Sequence, residues 1–534
     1  MRYKSFGRND DQVTRDGDPA FLGFVSRLDP GIIDPNYASG AENMRFDRGV
    51  AITRKGTQLM TTGSTAPFYA AAMVTNSVGT NFILQAGGSS TSGWDSTDIL
   101  QLPATLPFTL GTGAVTNTYP VGETVVEGDN PFIVQAKNSI FIFRGFNKDP
   151  LEIAGTVSGI DLSSNSVTVN TVIPNSTMGV YIGSRLAVIQ DRYNIAFSNA
   201  GDLTTWQPAN VFPINQGDND PIVAISPYAE DMLLIFKTRS VFILTNISTL
   251  YSPSSGSSPV SVTQEVTRQH GLAARDSIAQ VGDQVFYLST SGISAITNSV
   301  GAGGSSIRIL KVVDDPLSAP IDDLVDKINY TTAATKAVGV YYDNKYILAL
   351  PMTDRAGHTE GNNSLLQYNM LNHAWESRDH YPVNPDMLVT AMFGDQMRLM
   401  MGNKTGTLLL CEQGDTDYNP SGSGTIAGKL TTRAYQHNTF GDVKKYRSGV
   451  FNWATINDAS STVSYVPTAY DPDSSLSSRT ASTTTANESV HTPFSLGRLR
   501  GQRIQIEFNT SGRVEIKNVW VHGSSAGRHE FQTS

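Results

Sequence analysis

A single cysteine, Cys411, is all the chain holds, which excludes an intramolecular disulfide framework and a multi-cysteine zinc site. Inside LLLCEQ it reads as a small buried hydrophobe. Charge is also scarce. Only 16% of residues are charged, and 39 Lys and Arg against 48 Asp and Glu leave a net charge of −9. That balance argues against tight phosphate binding, which needs clustered cations to displace counterions. An acidic wall nevertheless suits DNA that has to slide past without sticking. Nowhere do about 20 apolar residues run together, and the first residues, MRYKSFGRNDDQVTRDGDP, carry no apolar core of an export signal. The expectation is a soluble chain with no membrane insertion and no cleaved signal.

Catalytic signatures are missing as well. No GxSxG elbow occurs, and Gly301, Gly303 and Gly304 lack the Lys and Ser/Thr that complete a phosphate-binding loop. The eight histidines, His270, His358, His373, His380, His437, His491, His522 and His529, show no HxH or HExxH spacing. Glycoside cleavage requires an arginine cluster or two carboxylates facing one another across a pocket. Here Asp314-Asp315 and Asp322-Asp323 are adjacent pairs, best read as charge on a loop and at a helix start. Asp471-Pro472-Asp473 lacks the ligand number of a calcium loop. The sequence therefore assigns no catalytic, no cofactor-binding and no metal-ligating residue, and the chain reads as a non-enzyme.

What is present is a repeat. A unit of turn, apolar strand, short Gly or Asn turn and apolar strand recurs, most clearly in AEDMLLIFKTRSVFILTN (229 to 246) and GDQVFYLSTSGISAITN (282 to 298). Asp231 and Asp283 lie 52 positions apart, with Phe236 and Leu288, and Asn246 and Asn298, at matching places. A period of about 40 to 50 residues carrying several short strands is the mark of four-stranded propeller blades. The composition agrees, with 47 Gly, 20 Tyr and polar tracts between strands.

The fold class expected is all-β: a peripheral β-propeller of six or seven blades plus a β-sandwich-like platform domain, with one short helix. Residues 1–65 form an N-terminal arm, which docks rather than folds alone, and platform strands. Residues 66–411 form the propeller, with blades at PFYAAAMV/NFILQAG, at 130–145 around Asn138, at 184–208, and at the two best copies. Two more follow, at 341–375 and 388–410. TVSGIDLSSNSVTVNTVIPNSTMG (156 to 179) breaks the rhythm and reads as an inserted hairpin. Ser198, Gly201, Asp202 and Trp206 shape a turn like the Asp-box hairpins of several propellers. Ile321, Leu324, Val325 and Ile328 follow Ala319-Pro320 at helical spacing. After the polar linker 412–425, residues 412–534 form a C-terminal β platform whose closing pair, 501–523, alternates Ile504, Ile506 and Phe508 with polar residues around a Ser511-Gly512 turn. SSLSSRTASTTTANESVH (474 to 491) carries too little apolar surface to pack and is expected to be an exposed loop or flap. Arg498, Arg500 and Arg503, with Lys444, Lys445 and Arg447, form a basic cluster that reads first as a solvated strand surface and second as a contact for DNA or an acidic subunit face.

The order of segments resembles that of the tail-nozzle (tail-hub, packaged-DNA stabilisation) proteins of short-tailed bacteriophages. The pieces are GVAITRKGT, QDRYNIAFSNAGDLTTW, VAISPYAEDMLLIFKTRSVFIL, RQHGLAARDSIAQVGDQVFYLSTSGISAI, the helix in APIDDLVDKIN and a basic strand pair after FSLGRLRGQRIQIEF, colinear over roughly residues 45 to 525. The segments 156–179 and 474–491 are where the chain departs from that pattern.

The resemblance implies a structural virion protein, made in the host cytoplasm and placed in the phage tail. It implies blades in a peripheral domain, and N- and C-terminal β-structure forming the wall of a homohexameric tube. Its partners would be a tail adaptor protein above and tail fibres or tip proteins, with transient, non-specific passage of genomic DNA through the bore during DNA ejection. The mechanism would be geometry and charge: acidic and neutral lumen groups repel phosphate, and inward loops close the bore until contact moves them. Two other classes are compatible with a propeller: a carbohydrate-binding or glycoside-cleaving phage tail protein, and a plain receptor- or partner-binding propeller.

Overall fold

Alternating apolar residues in short runs, punctuated by Gly, Asn and Asp at positive φ, dictate antiparallel hairpins, and hairpins build nearly the whole chain. The computed structural model describes residues 14–525 except 62–68, 76–80, 88–95, 102–113, 119, 121, 156–166, 251–261, 301–307, 313–315, 394–395, 405–406, 420–421, 438–442, 457–460, 471–476, 479–480 and 485–489.

Five four-stranded sheets are self-contained blades, each made of four consecutive strands that begin with Ala70–Thr75, Phe132–Ala136, Gly179–Ile182, Ile222–Ala229 and Ala279–Val281. Two further four-strand units are composite. One, from Val338–Tyr342 to Ala374–Asp379, continues into the platform. The other, Met387–Phe393, Gln396–Gly402 and Leu408–Cys411, is completed by Thr57–Thr61. Of the six or seven blades expected, five stand alone, because the remaining units borrow or share strands from distant parts of the chain. First strands pack side by side around an axis, and Met387–Phe393 lies against Ala70–Thr75 to close the circuit. The two best sequence copies are the middle hairpins of neighbouring blades, with Phe236 and Leu288 both fully buried.

Several expectations are corrected by the pairing. Thr57–Thr61, assigned to the platform, lies in the propeller. The supposed insertion at 156–179 includes Val167–Val169, which is the ordinary fourth strand of the second blade, whereas 156–166 lie outside the described residues. Within the supposed flap, Ser477–Ser478 and Ala481–Thr484 are strands paired with Thr462–Tyr470. The linker folds into a hairpin of Thr416–Asn419 and Gly422–Thr425. The helix appears as Asp322–Val325, followed by a second one, Tyr330–Lys336, whose N-cap Asn329 accepts from the Thr332 amide.

The platform is a two-sheet sandwich built from the first and last described strands and their neighbours. Its six-stranded sheet joins Val490–Gly501, Lys444–Thr455, Val514–Ser525, Val50–Thr53 and Met44–Asp47, with Thr14–Asp18 along Val514–Ser525. The facing sheet runs through Gly40–Glu42, Ala427–Thr431, Arg503–Ser511 and Thr462–Tyr470. The closing pair is not a hairpin: Arg503–Ser511 and Val514–Ser525 lie in different sheets, and Gly512, at φ +84°, turns the chain from one to the other. Ile504, Ile506 and Phe508 are fully buried, as the alternation predicts. Phe451 and Phe494 from one sheet pack edge-on or tilted against Tyr465 and Phe508 from the other, at centroid distances of 4.9 to 6.5 Å, so aromatic side chains fill the core.

The sandwich and the propeller are welded by charge as well as by the shared sheet. Arg45 pairs in bidentate fashion with Asp379 (3.1 and 2.7 Å) and also reaches Glu412. Arg54 pairs with Asp417 (2.8 and 2.6 Å) and lies 3.8 Å above the Tyr381 ring. Cys411, at the end of its blade strand, is buried in the core, and burial pushes its thiol well up.

Candidate functional site: the propeller axis and the platform's basic face

Because each blade presents its first strand to the axis, residues from six of those strands, and from the segment leading into Ala279–Val281, converge on a cavity of about 370 Å³. Its walls are apolar at Ile133, Val180, Ile225 and Leu388, and charged groups line the rest. Arg275 is the central group there. Its Nη1 donates to the carbonyls of Asn130 (2.7 Å) and Thr177 (2.9 Å), its Nη2 to that of Pro131 (3.0 Å), and Nε and Nη2 reach Asp276 at 2.8 Å each. One buried guanidinium therefore ties the entry of the fifth blade to those of the second and third.

Three carboxylates line the cavity, and each has a partner. Glu127 takes a 2.5 Å contact from Lys336 Nζ, and that hydrogen bond holds its carboxyl below the usual range. Asp276 is held by Arg275. Asp386 accepts from the Lys404 amide at 3.1 Å, yet burial pushes its carboxyl up. The two acids are thus displaced in opposite directions. Arg275, Glu127, Lys336, Asp386 and Lys404 went unnoticed in sequence, since nothing in their spacing signals convergence on an axis.

The basic cluster of the sequence divides. Lys444 is buried, with Nζ donating to the Gln502 carbonyl at 2.8 Å. Arg503 pairs with Asp29 and lies over the Tyr470 ring at 4.9 Å. Lys445, Arg447 and Arg500 remain on the outward face of the six-stranded sheet, and the arm adds Arg15, its guanidinium 4.3 Å from the centroid of the Trp520 ring. The side chain of Arg498 lies outside the description.

The other sequence candidates disperse. His270 contacts Ser291, His358 contacts Asn329 and His380 contacts the Asn363 carbonyl, on separate elements. His373 lies in a turn, the His491 side chain and His529 are not described, and among the described residues no three His, Cys, Asp or Glu cluster as metal ligands. Asp322 pairs with Arg27 and Asp323 bonds Ser26, so both acids serve the helix start and the arm. Asp314, Asp315, Asp471, Asp473 and the Gly301–Gly304 run fall outside the described residues. Asp202 caps its own turn by accepting from Thr204 and Thr205, and Trp206 donates to the Leu203 carbonyl, a structural use of the Asp-box shape. No helix among the described residues is long and apolar enough to cross a membrane.

No protein-family model and no curated protein matches the chain. Among solved structures, human WBSCR16 aligns at TM-score 0.35 and 10% identity over 75% of this chain and 98% of its own. The extracellular domain of the putative hybrid two-component system BT4673 from B. thetaiotaomicron aligns at TM-score 0.41 and 8% identity, over 88% of this chain and 60% of its own. BBS1N, solved in complex with ARL6DN, aligns at 0.35 and 14%, over 67% and 98%. These similarities are too low to carry an argument about function.

Proposed function

We propose that this chain is a structural virion protein: the distal tail nozzle of a short-tailed phage, which retains packaged DNA and conducts it during ejection. The supporting observation is the looped-out architecture. The first and last described strands meet in one sandwich; the chain leaves it after Val50–Thr53 and returns at Ala427–Thr431, and the blade unit from Val338–Tyr342 to Ala374–Asp379 shares the sandwich's ten-stranded sheet. A sandwich that carries a propeller on its flank suits a wall segment of a cyclic homohexamer with blades at the periphery, head-to-tail patches closing the ring. The adaptor above, fibres or tip proteins at the side, and DNA in the bore are the partners this reading requires. Electron microscopy of the purified protein, alone and with tail partners, tests it. A six-fold ring with an axial channel is expected, and a persistent monomer under both conditions refutes the reading.

One observation favours a second reading, a carbohydrate-binding or glycoside-cleaving tail propeller. Glu127 and Asp386 line one axial cavity with their acidities pushed apart, as an acid and a carboxylate of a hydrolase would be. The cation contacts that occupy Glu127 weigh against it. Release of reducing sugar from host surface polysaccharide, abolished by Asp386→Asn, would establish it.

A further inference from the structure

One end of the outward face of the six-stranded platform sheet gathers cations; the acid of Val514–Ser525, Glu515, lies at the other end of that strand and is paired with Lys517. Arg500 and Lys445 lie in register on adjacent strands, with Ser524, itself buried, next in the row. In the next outward row stand Ser495, Ser448, His522 and Arg15. Exposed Arg447 projects from the bulge between Tyr446 and Ser448. Residues 444–455, 490–503 and 516–525 contain no Asp or Glu. Asp16 and Asp18 alternate to the opposite face, where Arg433 holds them.

Like charges directly opposite one another destabilise a sheet, so a Lys445 and Arg500 pair carries a cost that the fold itself does not require. His522 feels the same field: burial, and then the neighbouring Arg15 charge, push its pKa down. A protein partner would want an apolar centre depleted of lysine. This centre is Lys445 and Arg447 flanked by serines, and Trp520, its large aromatic, already lies beneath Arg15. Cations and the Ser448 and Ser495 hydroxyls on an outward sheet face suit phosphate oxygens instead.

We propose that this face is a contact surface for the phosphate backbone of duplex DNA, with Arg15, Lys445, Arg447 and Arg500 each placed to neutralise one phosphate. The choice of DNA as the polyanion rests on the conduit reading above, and the contact opposes the purely repulsive wall that net charge implies.

Fluorescence anisotropy of a labelled random-sequence duplex, titrated with the full chain over a series of NaCl concentrations, tests the proposal. Four phosphate contacts give a slope of log K against log salt of about −3.6, and replacing Lys445, Arg447 and Arg500 together by Ser brings it to about −0.9. A control removing the same charge from the propeller, Arg192→Ser with Arg239→Ser and Arg268→Ser, keeps the steep slope. Circular dichroism should show the platform variant folded, since it loses a repulsive pair.

Absent binding by the wild type at low salt, equal slopes in the wild type and the platform variant, or equal losses in the two triple variants overturn the proposal. Unchanged DNA binding with loss of self-association in sedimentation also overturns it, and hands the face to a second copy of the chain. The ring test is independent: a chain with the predicted slope but no ring keeps this surface and loses the nozzle, and a ring without the slope does the reverse.

Discussion

Asp18 and His437 share one buried cluster at the root of the N-terminal strand and respond to pH in opposite senses. Arg433 bonds Asp18 (2.7 Å) and Asp16 (2.6 Å), and the Tyr435 hydroxyl donates to Asp18 at 2.8 Å. Burial outweighs these contacts and pushes Asp18 from 3.8 up to about 7. His437 is pushed from 6.5 down to about 4, chiefly by burial; its Nδ1 meets Thr14 at 3.2 Å and its Nε2 has no hydrogen-bond partner among the described residues. A raised carboxyl favours the folded state at low pH, and that contribution is lost as pH rises from 3.8 through 7. A depressed imidazole does the reverse: its contribution is present above 6.5 and lost as pH falls toward 4. The two slopes oppose each other over much of the same window. Urea unfolding over a pH series should therefore show Asp18→Asn losing stability on acidification below pH 6.5 more steeply than the wild type. His437→Gln should lose it more steeply as pH rises toward 7.

At the scale of elements, the junction depends on a hairpin, Met44–Asp47 with Val50–Thr53, whose Arg45 and the adjoining Arg54 are buried among blade and linker acids. Arg54 is 1% exposed and makes five hydrogen bonds: two to Asp417, one to Asn43 and one each to the carbonyls of Lys55 and His380. Arg54→Met leaves Asp417 buried and unpaired, so a loss of about 3–5 kcal/mol is expected in denaturant unfolding. Adding Asp417→Leu removes the orphan charge and should recover most of it, because a buried pair exchanged for well-packed apolar groups is often neutral. If the double variant is no more stable than the single, the cost comes from lost packing on Tyr381 rather than from the stranded carboxylate. The same junction explains why sequence alone assigns Thr57–Thr61 to the platform: its residues follow the platform hairpin directly, and only the Leu409–Leu59 pairing places them in a blade.

At the scale of the whole molecule, propeller and platform are two cores joined by one hydrogen-bonded sheet, with Arg378 of the outermost strand in its blade unit pairing in parallel with Glu42 of the platform. Neither unit can separate without breaking that sheet and stranding the buried ions beside it. Scanning calorimetry at neutral pH should give one cooperative transition for the two together. Two resolved transitions would mean that the joint is weaker than either core, and Arg54→Met should then widen the gap between them.

The sequence by itself determined the class of structure. Period-two alternation at Ile504, Ile506 and Phe508, the repeat linking Phe236 with Leu288, and the turn residues of that repeat are local properties; local backbone preference converts the alternation into a strand and the repeat into hairpins. Only the tertiary structure decided what those hairpins join: that Ser511-Gly512 crosses between sheets, that Thr57–Thr61 closes a blade begun more than 300 residues later, and that Arg15 stands beside Lys445, Arg447 and Arg500. It likewise brought Arg275, Glu127 and Asp386 to one cavity from separate blades. Strand pairing across long separations is set by which apolar faces bury together, and that depends on the whole chain at once rather than on any window of it.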